Sequence, residues 1–151
     1  MKRITTEQMI ALLNIARMQS VCCDDQVGSV LYHPATNTLV FGYNHVVGKD
    51  GEACELPDGT TRPDVIHAEI HALHKARLTI HAASFEDCVL FVDRRPCAKC
   101  TPEVIAHKIP IVVYYRGRPD MEHLQEFEKA GILVGHGIRD SVILNERIQE
   151  L

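Results

Sequence analysis

Two short patterns hold residues able to do chemistry: His67-Ala68-Glu69 and, further along the chain, Pro96-Cys97-Ala98-Lys99-Cys100. Alone, a His-x-Glu is ordinary surface chemistry and a Cys-x-x-Cys is often redox-active or structural. Together they offer one imidazole and two thiolates, a three-ligand donor set for zinc that leaves the fourth tetrahedral position open to water. His67, Cys97 and Cys100 are therefore the expected ligands. Zinc lowers the pKa of a bound water to about 7 and so supplies hydroxide at neutral pH. Glu69, two residues beyond the histidine, is the expected proton shuttle, taking the water proton and delivering it to a substrate ring and then to a leaving group. The competing reading, a closed structural zinc site, requires a fourth ligand.

Both patterns are expected at helix starts. Pro63-Asp64 precede a helix beginning near Ile66, with Ile66, Ile70 and Leu73 on one stripe. A helix over about 97–107 would carry both sulfurs on one side of its first turn, where the helix N-terminus favours thiolate. It follows Cys88–Val92, an apolar run that reads as a buried strand. Upstream, Thr5 and Gln8 form a capping box, and Met9, Ile10, Leu13, Ala16, Arg17 and Met18 give a first helical stripe ending near Ser20. Val27–Tyr32 and Thr38–Gly42 read as a hairpin around His33-Pro34-Ala35-Thr36-Asn37. The polar segment Tyr43–Asp64, rich in glycine and proline, reads as a long functional loop. Downstream come a buried strand Ile111–Tyr115, a helix over 120–129 with Leu124 and Phe127 inward and Gly131 as C-cap, a strand Ile132–Val134, and an end helix Ser141–Gln149. Strands alternating with helices imply parallel pairing between helix layers.

The 151 residues suit one domain spanning 1–151, and 46% apolar residues suffice for a core without disulfide staples. Long aliphatic segments argue that the six cysteines are reduced thiols or metal ligands. No apolar run approaches a membrane span, and the start Met1-Lys2-Arg3-Ile4-Thr5-Thr6-Glu7 lacks a signal peptide's apolar segment, so a cytoplasmic location is expected. A net charge of −4 argues against a general nucleic-acid partner. Basic residues nevertheless cluster between Asp93 and Arg118, at Arg94, Arg95, Lys99, Lys108, Arg116 and Arg118, a local field suited to one small anion or simply a solvated face.

The paired motifs resemble, letter for letter, the H-x-E and P-C-x-x-C signature of the zinc nucleobase deaminases. That resemblance implies hydroxide attack at C4 of cytosine or the equivalent purine carbon, and a cytidine deaminase-like fold: a three-layer α/β/α sandwich with a mixed five-stranded sheet.

Within this superfamily the chain resembles deoxycytidylate (dCMP) deaminases, which convert dCMP to dUMP with release of ammonia. The similarity runs through Ser20-Val21-Cys22, Gln26-Val27-Gly28-Ser29-Val30-Leu31, Gly42-Tyr43-Asn44 with a loop containing Cys54, and Ile111-Val112-Val113-Tyr114-Tyr115. It implies that Asn44 contacts the nucleotide, although a strand-ending turn role is open to it, and that Tyr115 lines the pocket unless it is a core tyrosine. Ala68, between ligand and shuttle, joins the substrate-binding set. For the phosphate the candidates are Arg95 first, then Arg116, Arg118 and Arg77. A small-molecule nucleotide is the expected partner, and the family implies a homo-oligomer, dimer or hexamer.

The chain also departs from that family's pattern. His71 stands where many members have Asn, Asp93 where they have Thr, and Asp93-Arg94-Arg95 is unusual before the Pro-Cys motif. Some members hold a second, structural zinc; Cys22 and Cys54 stand where part of it would be, but Val65 is no ligand, so either His74 completes the set or the two are free buried thiols. Alternative functions are a tRNA adenosine deaminase, which needs a basic RNA-binding surface, a free cytidine or guanine deaminase, and a zinc-stabilised interaction module, whose expected mark would be loss of Glu69.

Overall fold

The computed structural model describes residues 4–22, 25–46, 53–80, 85–117 and 121–151. Helix α1 (Thr6–Arg17) starts at the anticipated capping box, Thr5 accepting from the Gln8 amide while the Gln8 side chain accepts from the Thr5 N–H. It buries Met9, Leu13 and Ala16 and leaves Met18 outside. Strands β1 (Gly28–His33) and β2 (Thr38–Tyr43) form the expected antiparallel hairpin, with Asn37 in a left-handed turn conformation.

The polar segment that follows is not structureless. Its two ends pair as β3 (His45–Val46) and β4 (Val65–Ile66), with His45 opposite Ile66, and Glu55 bridges Thr61 within the arm. Residues 47–52 lie outside the described part. These two-residue strands are too short for alternation to reveal them, yet they set the chain that leads directly into His67.

Helix α2 (Ala68–Thr79), strand β5 (Val89–Arg94), helix α3 (Thr101–Ala106), strand β6 (Ile111–Arg116), helix α4 (Met121–Lys129), strand β7 (Leu133–His136) and helix α5 (Ser141–Gln149) complete the order. Helix α3 is shorter than the expected 97–107, because residues 97–100 form a separate turn ahead of it. Phe127 of α4 is buried and Leu124 half-buried, and Gly131 takes the positive φ of a helix C-cap.

The strands form one mixed sheet, β2-β1-β5-β6-β7, as expected. β1 is antiparallel to β2 and β5, whereas β5, β6 and β7 run parallel. Alternation along the strands divides the interior into two cores. On one face Leu31, Leu90, Val92 and Val112 meet Ala72, Leu73, Val104 and Phe127 from α2, α3 and α4. On the other, Val30, Phe91, Ile111 and Val113 meet Met9, Leu13 and Leu144 from α1 and α5. That gives three layers. Among the described residues no helix is long and apolar enough to cross a membrane.

Candidate metal centre and substrate cleft

The start of α2 is held hard against the sheet. Gly42 of β2 lies so close that a Cβ there would stand 2.2 Å from the Ala68 carbonyl oxygen and 2.7 Å from the Ala72 nitrogen. Only glycine permits this approach without displacing backbone. The buried Ser29 hydroxyl of β1 donates to the Ala68 carbonyl at 2.7 Å. His67 is the N-cap residue, extended at φ −79°, ψ 156°, and its side chain makes no capping bond. The ring is thereby free for another use.

That use is set by the turn after β5. The Cys97 carbonyl accepts from the amides of Cys100 and Thr101 and from the Thr101 hydroxyl, at 3.0–3.2 Å. Cys97 is therefore in a turn and Cys100 is the N-cap of α3, which corrects the expectation that both sulfurs ride the first helical turn. The turn still brings them together, 3.7 Å apart, and each sulfur lies 3.2 Å from His67 Nδ1.

This donor set fits a tetrahedral zinc. At a Zn–S length of about 2.3 Å two ligand sulfurs should stand about 3.7 Å apart, and S···N edges should be about 3.5 Å. Among the described residues it is the one convergent group of three or more His, Cys, Asp or Glu side chains, so no fourth ligand closes the site. Cys97 is held down to about 3, first by its hydrogen bond with Cys100 and also by His67. The hydrogen bond with Cys97, and then burial, push the Cys100 thiol up. His67 is raised, chiefly by its bond with Cys97. The pocket favours a thiolate at Cys97, as a metal ligand must be.

Glu69 is 4% exposed, and its Oε2 lies 3.2 Å from Cys100 Sγ. Burial holds its carboxyl above the ordinary carboxylate range. A buried carboxyl that readily keeps a proton suits proton transfer rather than ligation.

A cleft of about 240 Å³ opens beside these groups, lined by Asp25, Asn44, Cys54, Glu55, His67, Ala68, Glu69, Arg94, Arg95 and Cys97 among others. Asn44, Ala68 and Arg95 are thus beside the centre. The Asn44 amide is also structural: its Oδ1 accepts from the Val27 amide at 2.9 Å and its Nδ2 donates to the Asp25 carbonyl at 2.7 Å. Tyr115 is not in the cleft. It follows Ile111 and Val113 onto the opposite face of the sheet, where its ring packs on Gly137 and lines an apolar cavity between α1 and α5. Period-two alternation from the buried Val113 dictates that face.

The other arginine candidates are placed elsewhere. Arg77 donates to His107 Nε2 at 2.7–3.0 Å, away from the cleft, and Arg118 lies outside the described residues. Arg116 binds Asp93 at 2.7 Å, and Asp93 also accepts from the Gly28 amide at 2.7 Å. The unusual Asp93 therefore ties the ends of β1, β5 and β6 together. Sequence reasoning missed Asp25, Glu55 and Arg94 as cleft residues; the one local sign was the charge run 93–95. Cys22 and Cys54 are bonded to each other as a disulfide, correcting the expectation of free thiols or a second metal set, and His74 is exposed. The fold decides this by bringing the segment before β1 and the 53–64 arm to one wall of the cleft.

Comparisons with known proteins agree with this fold. Among solved structures, the dCMP deaminase of the cyanophage S-TIM5 in complex with dCMP and dUMP is similar with a TM-score of 0.77 and 24% identity, over 90% of this chain and 98% of that one. A guanine deaminase from Nitrosomonas europaea is similar at 0.61 and 19% identity, over 99% and 87%. The diaminohydroxyphosphoribosylaminopyrimidine deaminase/5-amino-6-(5-phosphoribosylamino)uracil reductase of Thermotoga maritima follows at 0.63 and 20%, over 95% of this chain but 38% of that one. At these identities the likeness establishes the fold. Comparison of the sequence with curated proteins finds no match. The model of the cytidine and deoxycytidylate deaminase zinc-binding region matches residues 3–116, including both motifs, and the chain accordingly belongs to that family of zinc-dependent deaminases.

Proposed function

We propose that this enzyme deaminates dCMP: water adds, ammonia leaves, and dUMP is formed. The observation that carries the reading is the open His67–Cys97–Cys100 centre with the buried Glu69 carboxyl beside it, inside a cleft that arginines flank. The fold shared with a phage dCMP deaminase supports the choice of substrate.

Zinc, when bound to these three side chains, supplies a nucleophile at neutral pH by lowering the pKa of water to about 7. Glu69 accepts the proton released by that water and gives it to the ring nitrogen next to the reacting carbon. It then carries a second proton to the departing amine, so that the same carboxyl serves each transfer. The Ala68 N–H, at the first position of α2, has no intrahelical acceptor and is available to the base. Asn44 positions the cleft wall and faces the nucleotide, and Arg95 is the expected phosphate contact.

The same reading takes residues 1–151 as one deaminase domain acting in the cytoplasm as a homo-oligomer, dimer or hexamer. The exposed apolar residues Ile15, Met18, Val142 and Ile143 support association, and light scattering on the purified protein tests it.

The substrate test is a panel on zinc-loaded protein: dCMP, deoxycytidine, guanine and an anticodon stem-loop containing adenosine. Faster deamination of dCMP than of any other member is expected; no activity on dCMP refutes the proposal. Glu69→Gln should retain zinc and lose about 100- to 10,000-fold in kcat.

A further inference from the structure

We infer that Arg94 selects a phosphorylated substrate, and that Asp25 occupies its anion site as an internal competitor until the nucleotide arrives. This inference rests on the proposed nucleotide substrate and names the residues that enforce it.

The parallel register of β5 and β6 places Arg94 opposite Arg116. Like charges at facing positions repel, so such a pair needs an anion between or beside its heads. Asp25 supplies one: its Oδ2 is ion-paired with Arg94, and its Oδ1 lies 3.3 Å from Arg116 Nη2. Two guanidiniums thus converge on one carboxylate at the ends of adjacent strands, the geometry in which a phosphate is bound.

The second arginine is anchored independently of Asp25. Arg116 binds Asp93, which is buried and also holds the Gly28 amide. Arg94 has no such anchor among the described residues; its side chain is 56% exposed, and it lines the cleft that contains His67 and Glu69. Ion pairs this open to water contribute little. Arg94 can therefore exchange Asp25 for another anion at small cost, while Arg116 stays in place. Asp25 itself is fixed through its backbone, whose carbonyl accepts from Asn44.

The charges of this cluster leave a net attraction for an added anion. Among the described residues, the guanidiniums of Arg17, Arg94 and Arg116 face the carboxylates of Asp25 and Asp93, leaving one positive charge in excess. A nucleotide phosphate brings two negative charges to a site with one to neutralise. Asp25 then repels it, so the carboxylate that pairs with Arg94 also limits the affinity for the phosphate. A nucleoside brings no anion and gains nothing from Arg94.

The experiment compares kcat/KM for dCMP and deoxycytidine, with inhibition by inorganic phosphate, in zinc-loaded wild type, Arg94→Gln, Arg94→Lys and Asp25→Asn. Losing a hydrogen bond to a charged group corresponds to roughly ten- to hundredfold. Arg94→Gln should lower the dCMP to deoxycytidine ratio by about that factor, mainly through KM for dCMP, with Arg94→Lys between it and wild type. Asp25→Asn should move the other way, with a lower KM for dCMP and tighter phosphate inhibition. An unchanged ratio in Arg94→Gln, or unchanged or weaker phosphate inhibition in Asp25→Asn, overturns the inference while leaving a dCMP-selective wild type in place. A wild type that does not prefer dCMP overturns the proposed substrate, and this inference with it. Because the readout is a ratio within each variant, partial misfolding does not imitate the expected result.

Discussion

The Ser29 hydroxyl and the Ala68 carbonyl, 2.7 Å apart, join the β1–β2 hairpin to the first turn of the helix that presents His67 and Glu69. His67 and Glu69 are therefore positioned by the five-stranded sheet together with the short β3–β4 pair that leads into the helix. Gly42 makes the same junction possible by leaving room for the helix backbone.

Loosening that junction should cost stability, and crowding it should cost catalysis as well. Ser29→Ala should cost about 1 kcal/mol in urea unfolding, the net worth of an ordinary hydrogen bond. Gly42→Ala should cost about 1–3 kcal/mol, because backbone must move to admit the methyl group. It should also lower kcat by about 100-fold, since the reacting groups shift with the helix. Normal kcat in Gly42→Ala would show that the helix start is not what positions Glu69.

Metal removal gives an independent check. Dialysis against a chelator should abolish activity, and added zinc should restore it. Cys97→Ser should reduce zinc content measured by atomic absorption below that of the wild type, which should hold about one ion per chain. Acid should release the ion as protons compete for His67 and both thiolates. Full zinc retention in Cys97→Ser would remove that residue from the ligand set.

His71 predicts how stability responds to acid. Burial first, then the charges of His45, Lys75 and His74, hold it down to about 4. Its Nδ1 accepts from the Tyr43 amide at 3.2 Å, a role only the unprotonated nitrogen can fill. The fold therefore has the full contribution of neutral His71 above the ordinary histidine pKa of about 6.5 and loses it progressively as pH falls from there toward 4. His71→Asn keeps an acceptor for Tyr43 and removes the titration. The stability difference between pH 7.5 and pH 5 should shrink in this variant; identical acid slopes would exclude His71 as the cause.

The Cys22–Cys54 bond ties the segment before β1 to the cleft arm across a sequence separation of 32. Closing a loop of that order contributes about 2–4 kcal/mol by restricting the unfolded chain. Adding reductant should lower the urea midpoint of the wild type but not of the Cys22→Ser/Cys54→Ser double variant. Alkylation without reductant followed by mass spectrometry should leave both residues unmodified. Labelling of both in oxidised protein would contradict the pairing.

Much of the architecture was legible locally. The Thr5–Gln8 capping box, the end helix Ser141–Gln149, the apolar runs around Leu90 and Val112, and the two ligand motifs each depend on residues within a turn or a strand of one another. Helical and extended periodicities express such relations directly. The zinc site was legible for a related reason: metal chemistry demands a donor set so specific that residue types and order suffice to identify it.

Apart from the metal motifs, the relations between distant segments came from the folding of the whole chain. Tyr115 belongs to a sheet face covered by α1 and α5, and a strand's own sequence does not say which face will meet the cleft. Cys22 meets Cys54, β3 meets β4, and Asp25 meets Arg94 and Arg116 across 69 and 91 positions of chain. Local spacing can set which side chains share a face, but which faces then come together depends on how the whole chain packs its apolar surface. The zinc chemistry could be read from the residue types and order of two motifs, whereas the packing of the sheet set which charges stand beside the cleft.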